Sequence, residues 1–139
     1  MTDMTWVTGA QLDGFDIRPD PVQLFCFSAA TWNPHRIHYD ERYARDIEGY
    51  DGVLVQGPLL ASWLLRLGEA WASGWGRVTE FDYISRRATV AGDVLHVRGE
   101  VTSDAGPCTA RVWIALPQGD VVCEGQLTVT SLTTQRPIT

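Results

Sequence analysis

Lysine is absent from this sequence: the 11 basic residues are all arginines, against 17 Asp and Glu, for a formal net charge of −6 over 139 residues. A nucleic-acid surface needs a clustered basic face and an anionic bilayer needs a basic patch, so neither is an expected partner. Acidity does not exclude a phosphorylated ligand, since a few local arginines suffice for one phosphate. Cysteine is scarce and odd in number. Cys26, Cys108 and Cys123 have no CxxC spacing, so no metal site and no disulfide framework is expected. Cys26 and Cys123 lie in apolar, strand-like runs, where a thiol acts as a small buried hydrophobe. A bilayer-spanning run is also missing, because Leu59 to Trp71 is interrupted by Arg66 and Glu69. The first residues, Met1 to Trp6, lack the basic start and apolar core of a secretory leader, and a cytoplasmic location is the expectation.

What is present is the composition of a globular domain, with 45% apolar and 20% charged residues, read as one domain over 1–139. Two of the three histidines fall in one polar stretch, Asn33-Pro34-His35-Arg36-Ile37-His38-Tyr39-Asp40. An imidazole is the side chain best suited to move protons near neutral pH. Ahead of this turn, Val22 to Phe27 reads as a strand; behind it, Glu41 to Arg45 reads as a short helix capped by Asp40.

A long helix follows. Gly57 is the expected N-cap and Pro58 the first helical residue, where its missing N–H costs nothing. Leu59, Leu60, Trp63, Leu64, Leu67, Ala70 and Trp71 then keep helical spacing. Ala61 and Leu65 widen the stripe until the helix is apolar nearly all round, and Gly74 and Gly76 end it. The second half alternates as strands over Thr79–Ile84, Val94–Val101, Ala110–Leu116 and Val121–Thr130. The last two are joined by the hairpin signal Pro117-Gln118-Gly119-Asp120. One edge strand is expected before Asp20. The fold class is therefore α+β, an antiparallel sheet wrapped around a central helix. Open sheet edges invite pairing, so a homodimer is expected.

These residues resemble a family. The stretch Thr31-Trp32-Asn33-Pro34-His35-Arg36-Ile37-His38-Tyr39-Asp40 is similar to the Ser-Gly-Asp-x-Asn-Pro-x-His-x-Asp motif of the MaoC-like hot-dog-fold hydratases and dehydratases. Val55-Gln56-Gly57-Pro58-Leu59-Leu60 looks like the entry to that family's central helix, and Gly92-Asp93-x-Leu95 like a later turn. The form Asn-x-His-Arg-Ile-His-Tyr-Asp followed by Gly-Pro-Leu-Leu is similar to the mesaconyl-CoA hydratase-like subgroup. The resemblance covers essentially the whole chain and implies a single hot-dog fold. It departs from the family where Asn33 takes the place of the catalytic aspartate.

The resemblance implies a hydro-lyase that interconverts 3-hydroxyacyl and trans-2-enoyl thioesters. The substrate would be carried on coenzyme A or the phosphopantetheine of an acyl carrier protein, with no other cofactor. His38 would be the acid/base and Asn33 would hold the water or hydroxyl, with His35 as a second acid or an orienting group. An amide cannot donate a proton as a carboxylic acid does. Backbone N–H groups of Gly57 and Leu59, at a helix N-terminus, would face the enolate oxygen. Trp32 and Gln56 are expected substrate contacts, and Arg36, Arg86 and Arg87 candidates for the carrier's phosphates. On the same fold, a cyclase or isomerase of natural-product assembly and a non-catalytic acyl-binding subunit of a heterodimer are the alternatives. Thioester hydrolysis is disfavoured, because the first turns of the central helix offer no carboxylate.

Overall fold

A computed structural model describes residues 6–132, so Met1 to Thr5 and the two ends of the expected 1–139 domain lie outside the described residues. Five antiparallel strands form one sheet in the order β1-β3-β4-β5-β2: β1 (Phe15–Ile17), β2 (Gly76–Ser85), β3 (Leu95–Ser103), β4 (Cys108–Ala115) and β5 (Val121–Ser131). Helix α3 (Gly57–Ala72) packs across β2 to β5. This is the hot-dog arrangement that the resemblance implied.

The core lies between α3 and the sheet. Leu60, Leu64 and Leu67 on the helix meet Leu95, Val97, Val112, Ile114, Leu127 and Val129 on the strands, all essentially without solvent exposure. Burial of each such side chain is worth about 1.5–3 kcal/mol. Helix and sheet come close at Gly68, where a Cβ would run into the Leu127 side chain. The helix is not buried all round: Ser62, Arg66 and Glu69 keep a polar strip in solvent. Its start also lies one residue earlier than the pattern suggested. Gln56 is the N-cap and Gly57 the first helical residue.

The hairpin at Pro117–Asp120 forms as expected, with Gly119 at φ 98° and its N–H on the Leu116 carbonyl. The expected early edge strand is β1, paired with β3. Thr89 and Val90 hold the approach to α3: Val55 N–H donates to the Thr89 carbonyl, and Asp93 accepts from Thr89 Oγ1 and Val90 N–H.

One expected strand is a helix. Val22 to Phe27 belongs to α1 (Pro21–Ala30), opened by Asp20, whose side chain accepts from the Gln23 N–H at 2.9 Å, and by Pro21 in the first turn. The run contains β-favouring Val22, Phe25 and Phe27, but a cap and an N-terminal proline decide a short segment whose core-facing residues, Leu24, Phe27 and Ser28, keep helical spacing. As a consequence Cys26, expected inside, is exposed, whereas Cys123 is buried as expected and its thiol pushed up to about 11 by desolvation. The short helix α2 (Glu41–Asp46) has the Asp40 cap read from sequence.

Candidate functional site

The polar turn is built by the way α1 ends. Trp32 N–H returns to the Ala29 carbonyl and Asn33 N–H to the Ser28 carbonyl, the paired bonds of a Schellman motif. That motif requires a left-handed residue at its penultimate position, normally glycine. Here Trp32 takes it, at φ 55°, the only non-glycine with positive φ among the described residues. The strain costs about 1–2 kcal/mol. It sets Trp32 outward, 90% exposed, and delivers Asn33 next to it.

Asn33 Oδ1 accepts the His35 N–H at 3.2 Å, closing a small turn. Its amide NH₂ has no partner among the described residues, so the group Asn33 offers is a donor. His35 is exposed and caps the 3-10 turn Arg36–His38, its Nδ1 accepting from the Ile37 N–H at 3.4 Å.

His38 is held from two sides of one residue. Leu54 N–H donates to the Ile37 carbonyl at 2.8 Å, and His38 Nδ1 lies 2.8 Å from the Leu54 carbonyl oxygen. A carbonyl only accepts, so Nδ1 carries the proton and Nε2 presents its lone pair. Burial of the ring pushes its pKa below 6.5; the Leu54 bond opposes this and neighbouring His35 adds to it. The two imidazoles have centroids 6.0 Å apart. His38 is thus a neutral base with a fixed tautomer.

Three residues beyond Leu54 the central helix begins, and its two expected donors separate. Leu59 N–H is spent on the Gln56 carbonyl at 3.0 Å, so that expectation is corrected: the turn that opens the helix consumes it. Gly57 N–H has no acceptor among the described residues and stands at the positive end of a 16-residue helix.

The remaining expected contacts are differently employed. Gln56 is 1% exposed, and its NH₂ is shared between the Leu24 carbonyl (2.8 Å) and Ser28 Oγ (2.9 Å) of α1. It joins two helices and presents nothing to solvent. Arg36 is clamped on Asp40 through two nitrogens and stacked over Tyr43. Arg86 is paired with Glu124 and Arg87 with Asp120. Their guanidiniums are exposed but partnered, which weakens each as a phosphate site. Asp40 is held below the usual carboxylate range by the Tyr43 N–H and by Arg36, a capping carboxylate and not a proton donor.

Beside Asn33 is an apolar cavity of about 220 Å³, lined by Phe25, Ser28, Ala29, Trp32, Asn33, Pro34 and Tyr39. Of these, sequence reasoning singled out only Asn33 and Trp32. Phe25, Ala29 and Trp32 follow helical spacing from the Asp20-Pro21 start, a signal that the strand reading hid. Tyr39 closes the wall, its hydroxyl donating to the Pro34 carbonyl at 2.7 Å and its ring edge-on to Phe25. Among the described residues no group of three or more His, Cys, Asp or Glu is placed to hold a metal, and no helix is long and apolar enough to cross a membrane.

Residues 9–90 match the model of a family described as hydroxyacyl-thioester dehydratase type 2. A 49-residue stretch is 59% identical to mesaconyl-C(4)-CoA hydratase of Chloroflexus aurantiacus, covering 35% of this chain and 18% of that protein. The chain thus matches under a fifth of that relative's length. Among solved structures, the (R)-hydratase from A. caviae involved in PHA biosynthesis superposes with a TM-score of 0.80 at 20% identity, over 91% of this chain and 98% of that one. A chain of the ChsH1–ChsH2 complex from Mycobacterium tuberculosis superposes with a TM-score of 0.79 at 20% identity, over 94% and 99%. At such identities the structural likeness concerns the fold alone.

Proposed function

The chain belongs to the hydroxyacyl-thioester dehydratase type 2 family, and from that premise we propose that it interconverts a 3-hydroxyacyl thioester and its trans-2-enoyl thioester. The observation that carries the proposal is the bond between His38 Nδ1 and the Leu54 carbonyl, which leaves Nε2 as a neutral base beside a polar turn. In hydration, Asn33 NH₂ holds a water. His38 Nε2 takes its proton as the oxygen adds to the β-carbon, and the π electrons move to the thioester oxygen as an enolate. Gly57 N–H, at the helix N-terminus, stabilises that oxygen. The same Nε2–H then protonates the α-carbon, so both groups add to one face. Dehydration is the reverse. Only His38 moves protons; Asn33 orients.

The apolar cavity under Trp32 takes the acyl chain, and coenzyme A or the phosphopantetheine of a carrier protein bears the thioester, with no further cofactor. His35, at the lip of the turn, orients the bound thioester. The long outer strand β2, exposed along most of its length, is the edge by which a second copy would add. A cytoplasmic location remains part of the proposal.

Hydration of trans-enoyl-CoA and enoyl-pantetheine thioesters, followed by loss of enoyl absorbance, tests it. His38→Ala is expected to lower turnover roughly 10²–10⁴-fold with the fold intact. Asn33→Asp, which restores a carboxyl group at the family's acid position, is expected to retain or raise it. No turnover by the folded wild-type protein on either carrier sinks the reading.

A further inference from the structure

Three groups of the proposed site depend on one short segment. The Leu54 carbonyl fixes the His38 ring, and Gly57 offers its free N–H. Between them Gln56 reaches away from the cleft, into the seam between α1 and α3. There its NH₂ donates to Ser28 Oγ at 2.9 Å and to the Leu24 carbonyl at 2.8 Å. Ser28 is the residue whose carbonyl accepts the Asn33 N–H, at 2.8 Å. We propose that Gln56 is the positioning residue for Asn33: it grips the last turn of α1 through Ser28 and so sets the distance between the Asn33 amide and His38. This rests on the hydratase reading above.

Two features separate this role from ordinary core packing. The first is that Gln56 bonds both residues that α1 fully buries, Leu24 and Ser28, while the apolar hold on the helix comes from Leu24 in the core and the half-buried Phe27 against it. The second is that Gln56 is a poor choice for stability alone. Its Oε1 is buried with no hydrogen-bond partner among the described residues. An unpartnered buried amide oxygen is destabilising, and an apolar side chain of similar length would avoid it. What such a side chain cannot supply is the two N–H donors. Local rules broken without a stability gain point to a functional demand.

The acid/base ring is held independently, through Leu54, so loss of the Gln56 donors leaves His38 in place and moves only Asn33. A displacement of about 1 Å in a catalytic constellation lowers rate roughly 10²-fold. The test is Gln56→Met and Ser28→Ala, singly and together, read by enoyl-thioester hydration, its pH profile and the Asn33 side-chain amide signals in NMR. Expected for Gln56→Met are a kcat lowered about 10–100-fold, a KM within about threefold, and an unchanged acidic limb of the pH profile. Ser28→Ala, the milder change, is expected to shift the same Asn33 signals. The double variant is expected to be no worse than the single ones, because both cut one chain of contacts. Gln56→His, whose ring N–H donates over a similar reach, is expected to recover part of the rate.

Wild-type kcat in Gln56→Met with unmoved Asn33 signals overturns the proposal. So do additive losses in the double variant, or a rate loss that tracks a lowered melting temperature. An inactive wild-type protein would sink the hydratase reading instead. The Asn33 signals need no turnover and would still show whether Gln56 controls that amide.

Discussion

Residues 20–50 and the scaffold of α3 with the sheet are held together by different forces. Nine of the sixteen residues of α3 are buried, against two of the ten in α1. The scaffold is stabilised by apolar area removed from water, spread over many contacts. The cover, comprising α1, the polar turn and α2, is held by individual polar devices: the caps of Asp20, His35 and Asp40, the Schellman bonds, and the Gln56 brace. Each device is worth about 1 kcal/mol and the cover buries few side chains, chiefly Leu24 and Ala44, so it is expected to open locally at lower free energy than the scaffold. His38, the acid/base of the proposed mechanism, sits on the seam, its backbone in the cover and its ring bonded to the approach to α3. That is a suitable place for a group that needs a fixed tautomer and a cleft able to admit substrate.

The comparison breaks first at the core. Leu64→Ala, at a fully buried helix position against the sheet, is expected to cost about 2–5 kcal/mol and to speed amide exchange throughout the described fold. Denaturant unfolding with hydrogen exchange checks it; a loss confined to the cover would contradict the assignment of scaffold and cover. A smaller and opposite effect is expected at Trp32→Gly. Glycine adopts φ 55° without strain, so relief of the left-handed conformation offsets the extra freedom of the unfolded chain. The fold should gain roughly 0.5–1 kcal/mol, with slower exchange in the last turn of α1, while KM for longer acyl chains rises as the cavity loses a wall. A destabilised glycine variant would show that the indole packs more than its exposure indicates.

The smallest expected effect is with pH. The folded His38 pKa lies below 6.5, so as pH falls through 6.5 the unfolded chain binds a proton that the folded chain does not. Stability from this group is therefore complete above 6.5 and declines on acidification until the folded ring protonates as well. In the proposed mechanism turnover follows the neutral ring, so its acidic limb should lie below 6.5. Melting temperatures and kcat/KM across that range check both; an acidic limb above 6.5 would mean that the ring is not the desolvated base described here.

Much of this was legible without coordinates, for physical reasons that differ by element. The second half alternates with period two and carries turn residues at its joints, so β3, β4 and β5 and their hairpin followed from local pattern. Helix α3 was legible from a proline start and a sustained apolar stripe. Helix α1 was not, because the β-favouring Val22, Phe25 and Phe27 outweigh, by local pattern, the Asp20-Pro21 start that decides the segment. That one error hid Phe25, Ser28 and Ala29 from the cavity wall and placed Cys26 inside.

Residue types, and the local geometry they favour, are properties of the chain itself: two histidines and an amide in one turn, and an Asp40 cap. Employment of those groups was decided only in three dimensions, because hydrogen bonds between distant segments are invisible to local spacing. The Leu54 carbonyl chose the tautomer of His38. The opening turn of α3 consumed the Leu59 N–H and left that of Gly57. Nearby carboxylates claimed the three arginines. Gln56 turned away from the cleft to hold α1, since in a packed interior each polar group goes to the partner that burial leaves within reach.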